Sequence, residues 1–363
     1  MSADLRAVGP GGDESFSPAD HQTFRVARLG GLTWPVYPRA VLIGVLMAVL
    51  LLVLAAVSLS VGRRVIPPSE VLDALLNPDA GGTATIVWSL RLPRLVCGIC
   101  VGAALAVAGA VFQSVSRNAL GSPEIIGLTS GAATGAVFAL VILGGHGPAA
   151  SIGAIVGCLL ASAVTYLLAY RGRAIGGYRL VLVGIGIGAF LQALTTLMLV
   201  RSDPDIAITG QLWLVGTLNA RNWEDAAAMA LVAAVGVPAV LAAARRLNTL
   251  ELGDLIARQL GLRVEGSRLL VVALGVALTG VAVATCGPIS FVALAAPHIA
   301  RRLTRSATVP VLPAALLGAL LLLFADLVGQ NLPGGLTAPV GVTAGVIGGG
   351  YLLWILTRKR YQP

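Results

Sequence analysis

Apolar residues fill long stretches of this chain, and charged residues gather in the gaps between them. Residues 40–62, 95–116, 125–170, 180–200, 226–244, 269–300, 308–325 and 327–357 contain no Asp, Glu, Lys or Arg. A helix needs about 20 apolar residues to cross the hydrocarbon core of a bilayer. Two blocks are too long for one crossing. Residues 125–170 break at Gly144-Gly145-His146-Gly147-Pro148, and residues 269–300 break at Gly287-Pro288. In the last block the helix is expected after Pro333-Gly334-Gly335. The pattern predicts an all-α polytopic membrane protein with ten transmembrane helices.

The loops between these helices orient the chain. With the N-terminus inside, the outer segments hold only Arg63, Arg64, Arg91, Arg94, Arg201 and Arg221, and the rest of the 25 Lys and Arg lie inside. This is the asymmetry of the positive-inside rule, and it places both termini in the cytoplasm. It also supports the short eighth span, since without it Arg301, Arg302 and Arg305 would lie outside.

Composition agrees with the pattern. Hydrophobic residues make up 57% of the 363 positions and charged ones only 11%, with mean hydropathy +0.89. Soluble domains carry roughly 25% charged residues, so the charge deficit nearly rules out a soluble enzyme. The net charge of +9 does not mark a nucleic-acid partner, because the arginines lie between apolar runs and form no stripe. Cys97, Cys100, Cys158 and Cys286 lie in apolar runs and read as small buried hydrophobes. Residues 1–38 mix Asp, Glu, Arg, Gly and Pro and read as a disordered cytoplasmic tail, leaving 39–358 as the membrane domain. No signal peptide is visible, because the first apolar run starts only near Ala40.

Three loops exceed mere connectors. The first outer loop holds Pro67-Pro68-Ser69-Glu70 before an apolar stretch, and Ser69 is a candidate cap for a short interfacial helix. Residues 206–220 are uncharged but too short to span, and predict a short helix near the outer leaflet. In the inner loop 245–268, Leu252, Leu255, Ile256 and Leu260 recur at helical spacing between charges. Such a segment needs an apolar partner, either the membrane surface or another protein. Glycine ladders in spans 3 and 10 (Gly127, Gly131, Gly135 and Gly341, Gly345, Gly349) lie on one helix face each, where small residues let backbones approach.

Several chemistries are missing. Lys359 is the only lysine, so a lysine-bearing phosphate loop is excluded, and ATP hydrolysis must come from another polypeptide. His21, His146 and His298 are far apart and show no metal-ligand spacing. Asp326 is the one acidic residue inside an apolar run, and it reads as a hydrogen-bonding structural residue. An ion-coupled secondary carrier usually shows several buried carboxylates, and an intramembrane enzyme needs a nucleophile or metal constellation.

Several blocks resemble one family. They are Arg91-Leu92-Pro93-Arg94, Gly102-Ala103-Ala104-Leu105-Ala106, Arg117-Asn118-Ala119-Leu120-Gly121-Ser122-Pro123 and Trp213-Leu214-Val215-Gly216-Thr217-Leu218. Further along stand Gly287-Pro288-Ile289-Ser290-Phe291-Val292, Ala296-Pro297-His298, Ala325-Asp326 and Pro339-Val340-Gly341. Together they resemble the iron-siderophore (FecCD-type) permease family of ABC importers, which also contains the haem and vitamin B12 permeases. The runs around Phe112-Gln113-Ser114 and Leu218-Asn219-Ala220 look most like catecholate ferric-siderophore permeases.

The resemblance implies a bacterial plasma-membrane permease of the type II ABC importer architecture. It would line a pathway with a second permease subunit, as homo- or heterodimer. Two ATP-binding subunits, which hold the ATP and magnesium, would dock inside, and a substrate-binding protein outside. The permease itself would be non-catalytic, with no cofactor. Its pathway would follow span 5, the short helix after it and span 10. The resemblance places the cytoplasmic gate at Asn118, Leu120, Gly176 and Gly177, with capping of span 3 as the simpler role for Asn118. It makes 245–268 the coupling loop, with Leu252, Gly253, Ala257, Leu260 and Gly261 as the ATPase contact. Arg63 and Arg64 are expected to dock acidic residues of the binding protein, whereas Arg91 and Arg94 are read as head-group anchors. The chain departs from the family pattern at Ala119, Gln330 and Ala338, where Pro, Arg and Glu are usual.

Overall fold

The structure, a computed structural model, describes residues 25–29, 32–36, 38–62, 64–78, 81–145, 147–171, 174–175, 177–306 and 308–358. A helix stands at each of the ten predicted spans, with short helices between some of them. The first is α1 (Pro38–Ser60), followed by the short outer helix α2 (Pro68–Leu76). Ser69 is not its cap: Pro68 opens the helix, where a fixed φ and a missing N–H cost nothing, so Ser69 falls within the first turn. A single turn, α3 (Gly82–Thr85), leads through a π-helical segment at Ile86–Arg91 into α4 (Leu92–Ser116). Part of the stretch expected to be a tail is paired: Arg25–Leu29 and Leu32–Val36 form an antiparallel ladder, rich in residues such as Val26, Thr33, Trp34 and Val36 that favour strands.

The middle of the chain holds α5 (Leu128–Val141), α6 (Pro148–Ala169), α7 (Gly177–Arg201), α8 (Pro204–Leu214) and α9 (Trp223–Ala242). The inner loop contains α10 (Ala244–Glu251) and α11 (Asp254–Gln259), and after it come α12 (Val264–Cys286), α13 (Val292–Thr304), α14 (Val311–Gln330) and α15 (Val340–Arg358). Among the described residues, seven helices are long and apolar enough to cross a membrane. The others at predicted spans are α5 with 14 residues, α13 with 13 and the apolar part of α15. At 1.5 Å per residue, α5 and α13 are too short to cross alone. Irregular segments, residues 117–127 and 287–291, precede them, and such backbone is tolerated at membrane depth only where it is buried in protein or lines a cavity.

Helix α4 is the centre of the bundle, packed against α9, α12, α13 and α14. Glycine makes this possible. A Cβ on Gly102 would stand 2.4 Å from the Gly318 carbonyl oxygen of α14, and one on Gly109 would stand 1.7 Å from that of Ala293 in α13. The span 3 ladder works the same way, since Gly131 and Gly135 meet the backbone of Gly157 and Gly153 in α6. The span 10 ladder does so only at Gly341, against the Val215 carbonyl, while Gly345 faces open space. Cys97, Cys158 and Cys286 are buried, Cys100 is half-buried, and all four are free thiols.

Candidate functional site

Three polar places stand out, one at each end of the bundle and one inside it. At the end assigned outside, Arg94 in the first turn of α4 reaches Asp326 near the end of α14. Its Nε donates to Oδ2 at 2.9 Å and its Nη2 to Oδ1 at 2.7 Å. Asp326 is 3% exposed, and Gln330, one turn later, donates to the same carboxylate at 2.8 Å. Arg94 Nη1 also donates to Asn219 Oδ1 at 2.6 Å. Arg94 is therefore no head-group anchor, because its fork is engaged on a buried carboxylate. Arg91 is not one either, since its guanidinium donates to the carbonyls of Leu59 and Arg64. Asp326 has the hydrogen-bonding role expected of it. Arg64 is exposed beside this cluster, and Arg63 lies outside the described residues.

At the arginine-rich end, the loop after α4 starts with Arg117 in the left-handed conformation, φ 51°. The Asn118 side chain accepts from Leu120 N–H at 2.9 Å, a local turn that asparagine readily forms. It does not cap span 3, because that helix starts later, at Leu128 behind Gly127. Asn118 and Leu120 are both exposed. Gly177 opens α7, and Gly176 lies outside the described residues.

The inner loop folds beneath this turn. Gly253, at φ +100°, breaks it into α10 and α11, and Gly261, at φ +79°, ends it. Leu252 and Leu260 are 55% and 64% exposed, and Leu255 and Ile256 are exposed with them. Ala257 is 0% exposed, which corrects its place in the expected contact: it lies on the inner face of α11, packed into the core. Periodicity marked the apolar face but could not say which small residue turned inward.

Between the ends, a cavity of about 360 Å³ is lined by Thr129, Ser130, Gln192, Thr195, Ser290 and Glu124, among others. Glu124 belongs to the irregular segment before α5. Its carboxylate accepts from the Ser290 hydroxyl and the Phe291 N–H. Sequence reading missed Glu124 because it lies at the edge of an apolar block, where a loop carboxylate attracts no notice.

Comparison with known proteins follows the same lines. The model of the FecCD transport family matches residues 50–358. The ferric enterobactin transport system permease protein FepG of Escherichia coli (strain K12) is 40% identical over 322 residues, covering 88% of this chain and 97% of that protein. The probable siderophore transport system permease protein YfhA of Bacillus subtilis (strain 168) is 35% identical, covering 88% and 94%. A solved structure described as a metal-chelate type ABC transporter in an inward-facing conformation superposes with TM-score 0.76 at 28% identity, covering 88% of this chain and 99% of that one. The chain is a multi-pass membrane permease and belongs to the FecCD transport family.

Proposed function

We propose that this chain is the permease subunit of an ATP-driven importer of ferric siderophore complexes. The observation that carries the reading is the inner end of the bundle. There, exposed Leu252, Leu255, Ile256 and Leu260 form an apolar rim beside the Asn118 turn, in a chain with no lysine-bearing phosphate loop. An apolar rim facing the cytoplasm suits a separate ATPase subunit, and the turn beside it suits a gate. The names of the relatives, which transport ferric enterobactin and siderophores, support the cargo. Uptake of radiolabelled iron chelates in a deletion strain tests it. Ferric catecholate uptake should be lost and restored by the gene, and loss of haem or cobalamin uptake instead would reassign the cargo.

In this reading two permease subunits, alike or different, enclose the pathway along α7, α8 and α15. The exposed apolar side chains of α7, such as Phe190 and Leu197, would then face lipid or the second subunit. Asn118, Leu120 and the start of α7 form the gate. Cysteine at 118 or 120 should cross-link to its counterpart in the second subunit when the gate is closed. Links confined to one subunit would leave the turn a purely local structure.

Outside, Arg63 and Arg64 dock carboxylates of a substrate-binding protein. Exposed ion pairs are each worth only about 0–1 kcal/mol, so a single substitution should do little. Reversing both to Glu should slow association most at low salt. Unchanged affinity and salt dependence would remove both from the interface.

A further inference from the structure

The elbow between α10 and α11 carries two carboxylates, one on either side of exposed Leu252. Glu251 ends α10, and its Oε1 accepts from Ser114 Oγ in the last turn of α4 at 2.8 Å and from Arg301 Nη2 of α13 at 2.7 Å. Asp254 starts α11, and its Oδ1 accepts from Arg268 Nη2 of α12 at 2.7 Å. The same oxygen lies 3.9 Å from Arg117 Nη2, on the residue just before Asn118. Arg268 is nearly fully buried and also holds Glu265, at 2.9 Å. The elbow itself is tight. A Cβ on Gly253 would stand 3.1 Å from Arg117 Nη1, so the guanidinium lies against the Gly253 backbone. A cavity of about 300 Å³ opens alongside, lined by Gln113, Arg117, Asn118, Glu251, His298 and Arg301, among others.

Surface ion pairs contribute little by themselves, but these are partly buried, charge-assisted and shared between elements. Each carboxylate joins the elbow to a different helix end. Glu251 holds the end of α4, and Asp254 holds Arg117 as well as α12. Displacement of Leu252 cannot move the elbow without pulling on both. The end of α4 and Arg117 in turn lead directly into the Asn118 turn, which α4 continues through the backbone bond from Asn118 N–H to the Gln113 carbonyl at 3.1 Å.

We propose that Glu251 and Asp254 are the residues that transmit movement of the ATPase-facing elbow to the gate turn. They are positioning residues: neither touches cargo or nucleotide. The proposal rests on the importer reading above. It predicts that breaking these links separates ATP hydrolysis from transport.

The test uses the whole transporter in proteoliposomes, with its partner permease, ATPase subunits and binding protein. Ferric chelate moved and ATP hydrolysed are measured in the same vesicles. Glu251→Gln and Asp254→Asn keep size and shape but remove the charge. Each should leave ATP hydrolysis within about twofold of the original and lower the chelate moved per ATP about tenfold, the difference between a hydrogen bond to a charged group and one to a neutral group. The exchange E251R with R301E should recover part of the ratio. An unchanged ratio in both single variants would overturn the proposal. So would a parallel fall of hydrolysis and transport, which marks lost docking or folding. Unaltered protein that moves no ferric chelate at all would overturn the importer reading, and the link with it.

Discussion

Leu252→Asp or Leu260→Asp should abolish iron-chelate uptake while the chain still inserts in the membrane. Both side chains are more than half exposed on the inner rim, so neither is needed to fold this chain. In the assembled importer they would be buried against an apolar partner. Forcing a carboxylate into that contact costs several kcal/mol, which weakens docking roughly 100-fold or more. The ATPase should no longer co-purify. Ala257→Asp is the contrasting control. Its side chain is buried within this chain, so it should lower the amount of folded protein itself. Unchanged co-purification and uptake in the two leucine variants would show that the rim rests on the membrane surface instead.

Asp326→Ala should be the most damaging single change at the outer end. It leaves the Arg94 guanidinium with only Asn219 among its present side-chain partners and strips Gln330 of its acceptor. Breaking a buried pair by removing one member typically costs about 3–5 kcal/mol, because the other charge stays uncompensated. The thermal midpoint in detergent should fall accordingly. Arg94→Ala should fall as well, by leaving the carboxylate buried, and the double variant should lose less than the sum of the two. Additive losses would mean that the two residues act independently, and that the pair does not tie α4 to α14.

The inner rim shows how far periodicity carries. Leu252, Leu255, Ile256 and Leu260 were legible as one apolar face, and all four are exposed as an unpartnered contact requires. Ala257 was not legible, because alanine is equally at home on either face of a short helix. Asn118 was open between capping and gating, and its bond to Leu120 removes the first.

The positions and order of the ten helices were legible in the sequence alone. A charge in the bilayer core is so costly that Asp, Glu, Lys and Arg mark the ends of each crossing, and this information is strictly local. The missing phosphate loop is equally local. Tertiary structure decided everything that depends on partners remote in the chain. Arg94 and Asp326 are 232 positions apart, and nothing near either residue shows that one neutralises the other. Glu124 meets Ser290 and Phe291 only because two irregular segments come together inside the bundle. Glycines at 102 and 109 look alike in sequence, but only packing shows that they let α4 touch the backbones of α14 and α13. Apolar transfer free energy adds up residue by residue along the chain, whereas ion pairing and close packing depend on distance, and distance is set only when the helices have found their neighbours.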